Sequence, residues 1–203
     1  MRKRIVVLPL LLGLLAAGPA TAADKYAFDP AHTFVGFEVR HLTVSKVRGE
    51  FREFAGEILL DEDDISKSSV SAVIKAASLT TGIDRRDAHL KSSDFLSAEE
   101  FPDITFQSKR VEKAGEGYVA VGDLTIRGVT KEIALPFTLA GPITDPQKRK
   151  RIGVEASTTI DRNEYGVSWN RILEGGGLVV GNEVKLLLNV EAVKLEPKPE
   201  ASQ

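Results

Sequence analysis

Period-two alternation of apolar side chains recurs along nearly the whole chain, and it restricts the fold more than any other feature. Val35, Phe37 and Val39 alternate with Gly36, Glu38 and Arg40. The same pattern runs through Val70, Ala72 and Ile74, then Ile104, Phe106 and Ser108, then Tyr118, Ala120, Gly122, Leu124 and Ile126. It continues in Ile133, Leu135, Phe137 and Leu139, in Ile152, Val154, Ala156, Thr158 and Ile160, and in Val184, Leu186, Leu188 and Val190. Successive side chains of a strand point to opposite faces, so each run has one apolar face and one polar face. Phe51 followed by Phe54, Gly56, Ile58 and Leu60 changes phase once, which predicts a β-bulge near Arg52-Glu53. About eight such runs, with turn residues between most of them, predict an all-β sandwich or barrel. One-sided alternation favours antiparallel pairing. With an even number of strands the first can pair with the last and remove both edges, so the expected fold is a closed barrel. At about eight strands its interior is filled by side chains or holds one small ligand.

Two segments break the pattern. The first, "DRRDAHLKSSDFLSAEEFP", runs from Asp84 to Pro102. It reads as a short helix capped by Asp84, with Asp87 in its first turn and Ile83 and Leu90 sharing a face. Ser93 is expected to cap a second turn carrying Phe95 and Leu96, and Ser97 and Glu100 have capping-box spacing. Leu90, Phe95 and Leu96 then face the core or a cavity mouth. The second segment, Asp161 to Gly181, contains Tyr165, the single tryptophan Trp169 and Gly175-Gly176-Gly177. Both segments read as long connections over barrel ends, where binding loops tend to sit.

The chain ends read differently. Arg2, Lys3 and Arg4 precede an apolar stretch from Ile5 to Leu15, and Ala20-Thr21-Ala22 has cleavage-site character. This predicts a signal peptide over residues 1–22, cleaved between Ala22 and Ala23, and a soluble periplasmic protein. The apolar stretch is shorter than the ~20 residues a spanning helix needs. The barrel is expected over residues 23–194, and the polar, proline-bearing segment 195–203 as a disordered tail.

With 0 cysteines, disulfides are excluded and stability rests on an ordinary core. A net charge of -2 argues against nucleic-acid binding, which wants a basic field. The one basic run, Lys148-Arg149-Lys150-Arg151, reads as a solvated loop guarding a strand start.

The chemical motifs are weak. His32 and His41 flank one strand nine positions apart, an odd offset that places them on opposite faces roughly 30 Å apart. His89 with Asp87 or Asp94 falls short of the three ligands a catalytic zinc wants. No metal and no cofactor is therefore expected. Asp61-Glu62-Asp63-Asp64 has Ser66 and Ala72 where a calcium loop needs glycine and glutamate, so it reads as a charged turn. There is no G-x-S-x-G elbow and no G-x-G-x-x-G loop in a βαβ setting. Asp87 and His89, two apart on a helix, point different ways, so Ser92, His89 and Asp87 do not make a triad. No catalytic residue is expected.

"HTFVGFEVRHL", "GEFREFAGEILLD", "TTGIDRRDAHLKSSDFLSAEEFPDITFQS", "GDLTIRGVTKEI" and "IDRNEYG" follow one another in this order. Together they resemble the YceI-like family of secreted, lipocalin-like proteins, over about Asp24 to Lys194. The resemblance implies an extended eight-stranded antiparallel lipocalin-like barrel with short helical segments closing one end of an elongated apolar cavity. It also implies non-covalent binding of a long-chain amphiphile: a polyisoprenoid, an isoprenoid quinone or a fatty-acid-like lipid. The family often carries phenylalanine where this chain has Tyr165, and the loop from Gly166 to Gly181 is particular to this sequence. Expected cavity-lining residues are Phe37, Val39, Phe51, Ile74, Phe106, Leu124, Leu135 and Phe137, with Trp169 near a mouth. Transient contact with a membrane surface and a homodimer are compatible with this reading. Two rivals stay open: an enzyme acting on a lipid or stress metabolite in the same cavity, and a ligand-free interaction module.

Overall fold

The structure, a computed structural model, describes residues 23–196. The expected signal peptide, residues 1–22, lies outside the described residues, as do residues 197–203 of the expected tail. The eleven strand segments are β1 (Asp24–Phe28), β2 (Phe34–His41), β3 (Ser45–Phe51), β4 (Phe54–Leu60), β5 (Ser69–Lys75), β6 (Leu79–Thr80), β7 (Asp103–Ala114), β8 (Gly117–Ile126), β9 (Val129–Thr144), β10 (Lys150–Asp161) and β11 (Val180–Lys194). One helix, α1 (Asp84–Lys91), separates β6 from β7. All strand pairings are antiparallel.

Eleven segments make eight long strands because the first three strands are each broken once. β11 pairs with β1 (Tyr26 opposite Lys194) and with β2 (Phe37 opposite Leu186). β4 pairs with β1 while β3 pairs with β2, and β5 pairs with β4 while β6 pairs with β3. β7 to β11 then pair in chain order. The first long strand thus closes on the last, and the sheet is an eight-stranded antiparallel barrel.

The expected bulge at Arg52-Glu53 is instead a corner where β3 ends and β4 begins. The partner strand bends opposite it, through the 3-10 turn Ala76–Ser78. Arg52 N donates to Ser78 O at 3.3 Å and Lys75 N to Glu53 O at 2.9 Å, so the pair stays joined around the corner. A true bulge lies in β7, between Ser108 and Arg110. It inverts the phase, so that Ser108 and then Val111 are both buried. The Ser108 hydroxyl accepts from Val70 N at 2.9 Å, which satisfies both groups.

Alternating strand directions put both long connections at one end, here called the upper end. The lower end carries the turns 61–68, 115–116 and 145–149. Asp61 accepts from Asp63 N and Asp64 N, and Asp64 caps the 3-10 turn Ile65–Lys67, so this acidic stretch is a turn. Tyr26, Ile58, Leu60, Ile152, Val190 and Ala192 pack into a small cluster where β1 closes the barrel.

The basic run is a solvated turn before β10 at Lys148 and Arg149, as expected, but not at Arg151. The Arg151 side chain is 13% exposed and bridges three carboxylates: Nε donates to Asp145 Oδ2 at 2.7 Å, and Nη1 to Asp29 Oδ2 at 2.8 Å and to Glu191 Oε1. Arg149 also pairs with Asp145, and Lys150 with Glu62. Asp145 sits in the adjoining turn, but Asp29, Glu62 and Glu191 are distant in sequence, so the run by itself could not show these pairings. Past β11, Leu195 N donates to Lys25 O at 2.7 Å, so the first residue of the expected tail is held against β1.

Over the upper end, α1 differs from expectation at its caps. Ile83, not Asp84, occupies the N-cap position, with no side-chain cap bond, and it is exposed rather than sharing an apolar face with Leu90. Asp87 is buried and faces backwards, accepting from Thr80 Oγ1 at 2.9 Å, from Thr81 N at 2.8 Å and from Thr81 Oγ1. Burial pushes its carboxyl up, but the hydrogen bonds from Thr81 and Thr80 outweigh this and lower its pKa. The second turn is organised by Ser92 rather than Ser93: its hydroxyl donates to His89 O at 2.8 Å and accepts from Asp94 N at 3.3 Å. Ser97 donates its hydroxyl to the Glu100 carboxylate instead of capping the Glu100 N–H. Arg127, in the β8–β9 turn, donates to Ser93 O, Phe95 O and Gly166 O at 2.8–2.9 Å and ties both long connections together.

Candidate ligand cavity

The inward-facing residues of these strands do not fill the barrel. They leave an apolar cavity of about 250 Å³. Its wall takes Val35, Phe37 and Val39 from β2, Phe51 from β3, Ile74 from β5, Phe106 from β7 and Leu124 from β8. Leu135 and Phe137 of β9 complete that side, and Leu186 and Leu188 of β11 stand next to β2. From the upper-end segments Leu90, Phe95, Leu96, Tyr165 and Val167 join the wall. All eight strand residues expected at the cavity therefore line it.

The ninth, Trp169, does not. It packs edge-on against His89 (ring centroids 4.9 Å apart) and beside Phe95 (5.2 Å), with the Arg171 guanidinium 5.8 Å from its ring centre. A non-strand residue has no face parity to place it, so the sequence marked Trp169 only by rarity. His89 also meets Phe95 edge-on at 5.0 Å, and its Nε2 lies 2.8 Å from Asp94 Oδ2. His89 and Asp94 are not cavity-lining residues. Asp87 points to Thr80 and Thr81, so the two acids and the histidine do not converge.

Aromatic pairs shape the wall. Phe37 and Phe51 lie 6.1 Å apart, and Phe137 stacks on Tyr118 at 5.5 Å. Gly49 gives the Phe37 ring its room, because a Cβ there would sit 2.5 Å from ring atoms.

Polar groups at the wall are few: Ser68, Ser69, Arg162 and Tyr165. Arg162 and Tyr165 belong to the 3-10 turn Arg162–Tyr165 that follows β10, which Asp161 caps through Asn163 N. Burial lowers the Arg162 pKa and pushes the Tyr165 phenol up to about 12. Sequence reasoning missed Arg162; an arginine next to a strand end carries no sign of burial.

One cluster has metal-ligand character. Asp29, His32 and Glu191 offer atoms within 4.8 Å of one another. Arg151 already donates to both carboxylates, so a cation stands where an ion would sit. His32 lies in the turn before β2 and pairs with Asp29 at 3.0 Å, while His41 ends β2; the two flank the strand as expected, but strand parity does not reach His32.

Comparison with known proteins agrees with this architecture. The YceI-like domain profile matches residues 26–192. A UPF0312 protein of Serratia proteamaculans is 37% identical over 196 residues, covering 96% of this chain and 98% of that one. A UPF0312 protein of Staphylococcus aureus is 38% identical over 168 residues, covering 82% of this chain and 96% of that one. Among solved structures, the YceI protein of Campylobacter jejuni superposes with a TM-score of 0.66 at 32% identity, covering 83% of this chain and 96% of that one. Burkholderia cenocepacia BcnA shares the fold at a TM-score of 0.71 and 22% identity, covering 81% of this chain and 98% of that one. A closed eight-stranded barrel around an apolar cavity, a matching profile along most of the chain and relatives above 30% identity over nearly their whole length lead to one conclusion: the chain belongs to the YceI-like family.

Proposed function

We propose that this protein is a non-catalytic container that carries or stores a long-chain amphiphile, such as a polyisoprenoid, an isoprenoid quinone or a fatty-acid-like lipid, in the periplasm. The apolar cavity inside the closed barrel is the observation that carries the reading. Each buried methylene contributes about 0.8 kcal/mol, so a chain needs few polar contacts to be retained even after ordering costs. Arg162 and Tyr165 are the titratable residues of the wall, and no hydrogen bond joins them as an acid–base pair. A fold-sharing domain from Saccharophagus degradans is described as polyisoprenoid-binding, at 16% identity and a TM-score of 0.59; its ligand class is adopted here as part of the proposal. The tripartite character of residues 1–22 supports export. Exposed Leu42, Val44, Ile83 and Ile172, all at the upper end, support transient contact with a membrane surface during loading.

The test is mass spectrometry of protein purified from the periplasmic fraction, intact and after organic extraction. A chain lacking residues 1–22 and a co-extracted long-chain lipid are the expected result. A protein free of lipid even after incubation with a total lipid extract would overturn the container reading.

A further inference from the structure

Two polar groups at the upper end of this apolar cavity have unspent hydrogen-bonding capacity. Tyr165 is 1% exposed, and its hydroxyl has no hydrogen-bond partner. It belongs to the same core cluster as Ile126, Ile160 and Val167, none of which carries a side-chain acceptor. Arg162 is 5% exposed, and its guanidinium meets main-chain carbonyls: Nε donates to Gly181 O at 2.8 Å, Nη1 to Val167 O, and Nη2 to Val180 O at 3.4 Å. These bonds engage three of its five N–H donors. Asp161 is the acidic group that acts on it, and the Asp161 carboxylate is itself engaged by the Asn163 main chain and side chain. Among the described residues no ion pair neutralises Arg162.

The polarity of this end is therefore one-sided. The unengaged Arg162 N–H groups and the Tyr165 hydroxyl can donate, and the buried charge is the Arg162 cation, while the Asp161 and Glu164 carboxylates that act on the two residues are exposed. A buried donor without a partner is costly, and an acceptor delivered by a ligand recovers that cost. A hydrocarbon terminus offers no acceptor, and an ammonium head is repelled.

We propose that this end of the cavity is a headgroup subsite, where Tyr165 donates to the terminal carbonyl or carboxylate oxygen of the bound amphiphile and Arg162 favours a head bearing negative charge. The assignment rests on the container reading above. With its phenol pushed up to about 12, Tyr165 remains a donor at neutral pH.

The experiment titrates two fluorescent probes into lipid-stripped wild type and Tyr165→Phe at neutral pH: cis-parinaric acid, which ends in a carboxylate, and diphenylhexatriene, a hydrocarbon. Melting temperatures of the ligand-free proteins are measured alongside. Loss of one hydrogen bond to a charged head should weaken parinaric acid by about tenfold in the variant, and leave diphenylhexatriene within about twofold. The ligand-free variant should melt no lower than wild type, because it has lost an unpaired hydroxyl. Equal affinity of both proteins for both probes overturns the subsite and leaves the container standing. Equal weakening of both probes with a lowered melting temperature also overturns it, because it marks a packing role. If wild type binds neither probe, the container reading itself fails and the subsite falls with it.

Discussion

Phe37 illustrates what one residue does in this molecule. Strand parity points it inward, Phe51 packs beside it, and Gly49 leaves space beneath its ring. Phe37→Asp would place a carboxylate in an apolar wall, at a cost of several kcal/mol that offsets much of the net lipid affinity. The expected outcome is loss of co-purifying lipid from a variant that circular dichroism shows to be folded. His89→Ala is the matching control outside the cavity. It removes the Asp94 contact and two edge-on aromatic contacts, and should lower stability by about 1 kcal/mol in urea titrations while the lipid mass stays unchanged. Conversion of the lipid by wild type but not by this variant would reinstate the enzyme reading.

The segment from Asp84 to Pro102 is the element that turns an open barrel end into a covered one. Its hold on the barrel is apolar through Phe95 and Ala98, which sit in the core, and polar at two points: Asp87 binds back to Thr80 and Thr81 beside β6, and Arg127 reaches three carbonyls across the two upper-end connections. Asp87→Ala would leave the half-buried Thr80 and Thr81 donors without their acceptor. We expect it to cost about 2–3 kcal/mol by equilibrium denaturation, and to raise hydrogen exchange of the amides from Thr81 to Lys91 above that of β8 and β9. A uniform rise over the whole barrel would show instead that the lid and barrel open as one unit.

At the scale of the whole molecule, closure depends on the contact between the first and last strands, and Arg151 reinforces that seam. It joins β10 to Asp29 after β1, to Glu191 on β11 and to Asp145 in the lower turn. The hydrogen bond from Arg151 is the main cause that holds both Asp29 and Asp145 at about 2, below their usual 3.8. A depressed carboxyl pKa contributes stability that is fully present above the unfolded value and is lost as pH falls through the folded value. Calorimetry should therefore show a melting temperature that is steady from neutral pH to about 5 and falls between about 4 and 2. Arg151→Gln should lower the neutral-pH melting temperature by on the order of 10 °C and flatten that acid fall. An unchanged acid profile in the variant would remove Arg151 from the account.

The sequence by itself determined the barrel. Side-chain alternation is a local property of an extended chain: one-sided alternation called for antiparallel sheet burying one face, and the even number of runs favoured closing it into a barrel over a two-sheet sandwich. The same parity placed Phe37, Val39, Phe51, Ile74, Phe106, Leu124, Leu135 and Phe137 on the cavity wall. Where parity lapses, only the tertiary structure decided. It set Trp169 against His89 and Phe95 rather than on the wall itself, buried Arg162 without a carboxylate, and moved the helix cap from Asp84 to Ile83. It also made Arg151, in a run that reads as solvated, the partner of acids 122 and 40 residues away. Connections and ion pairs answer to the groups that folding brings to them, and a single strand's periodicity carries no record of those groups.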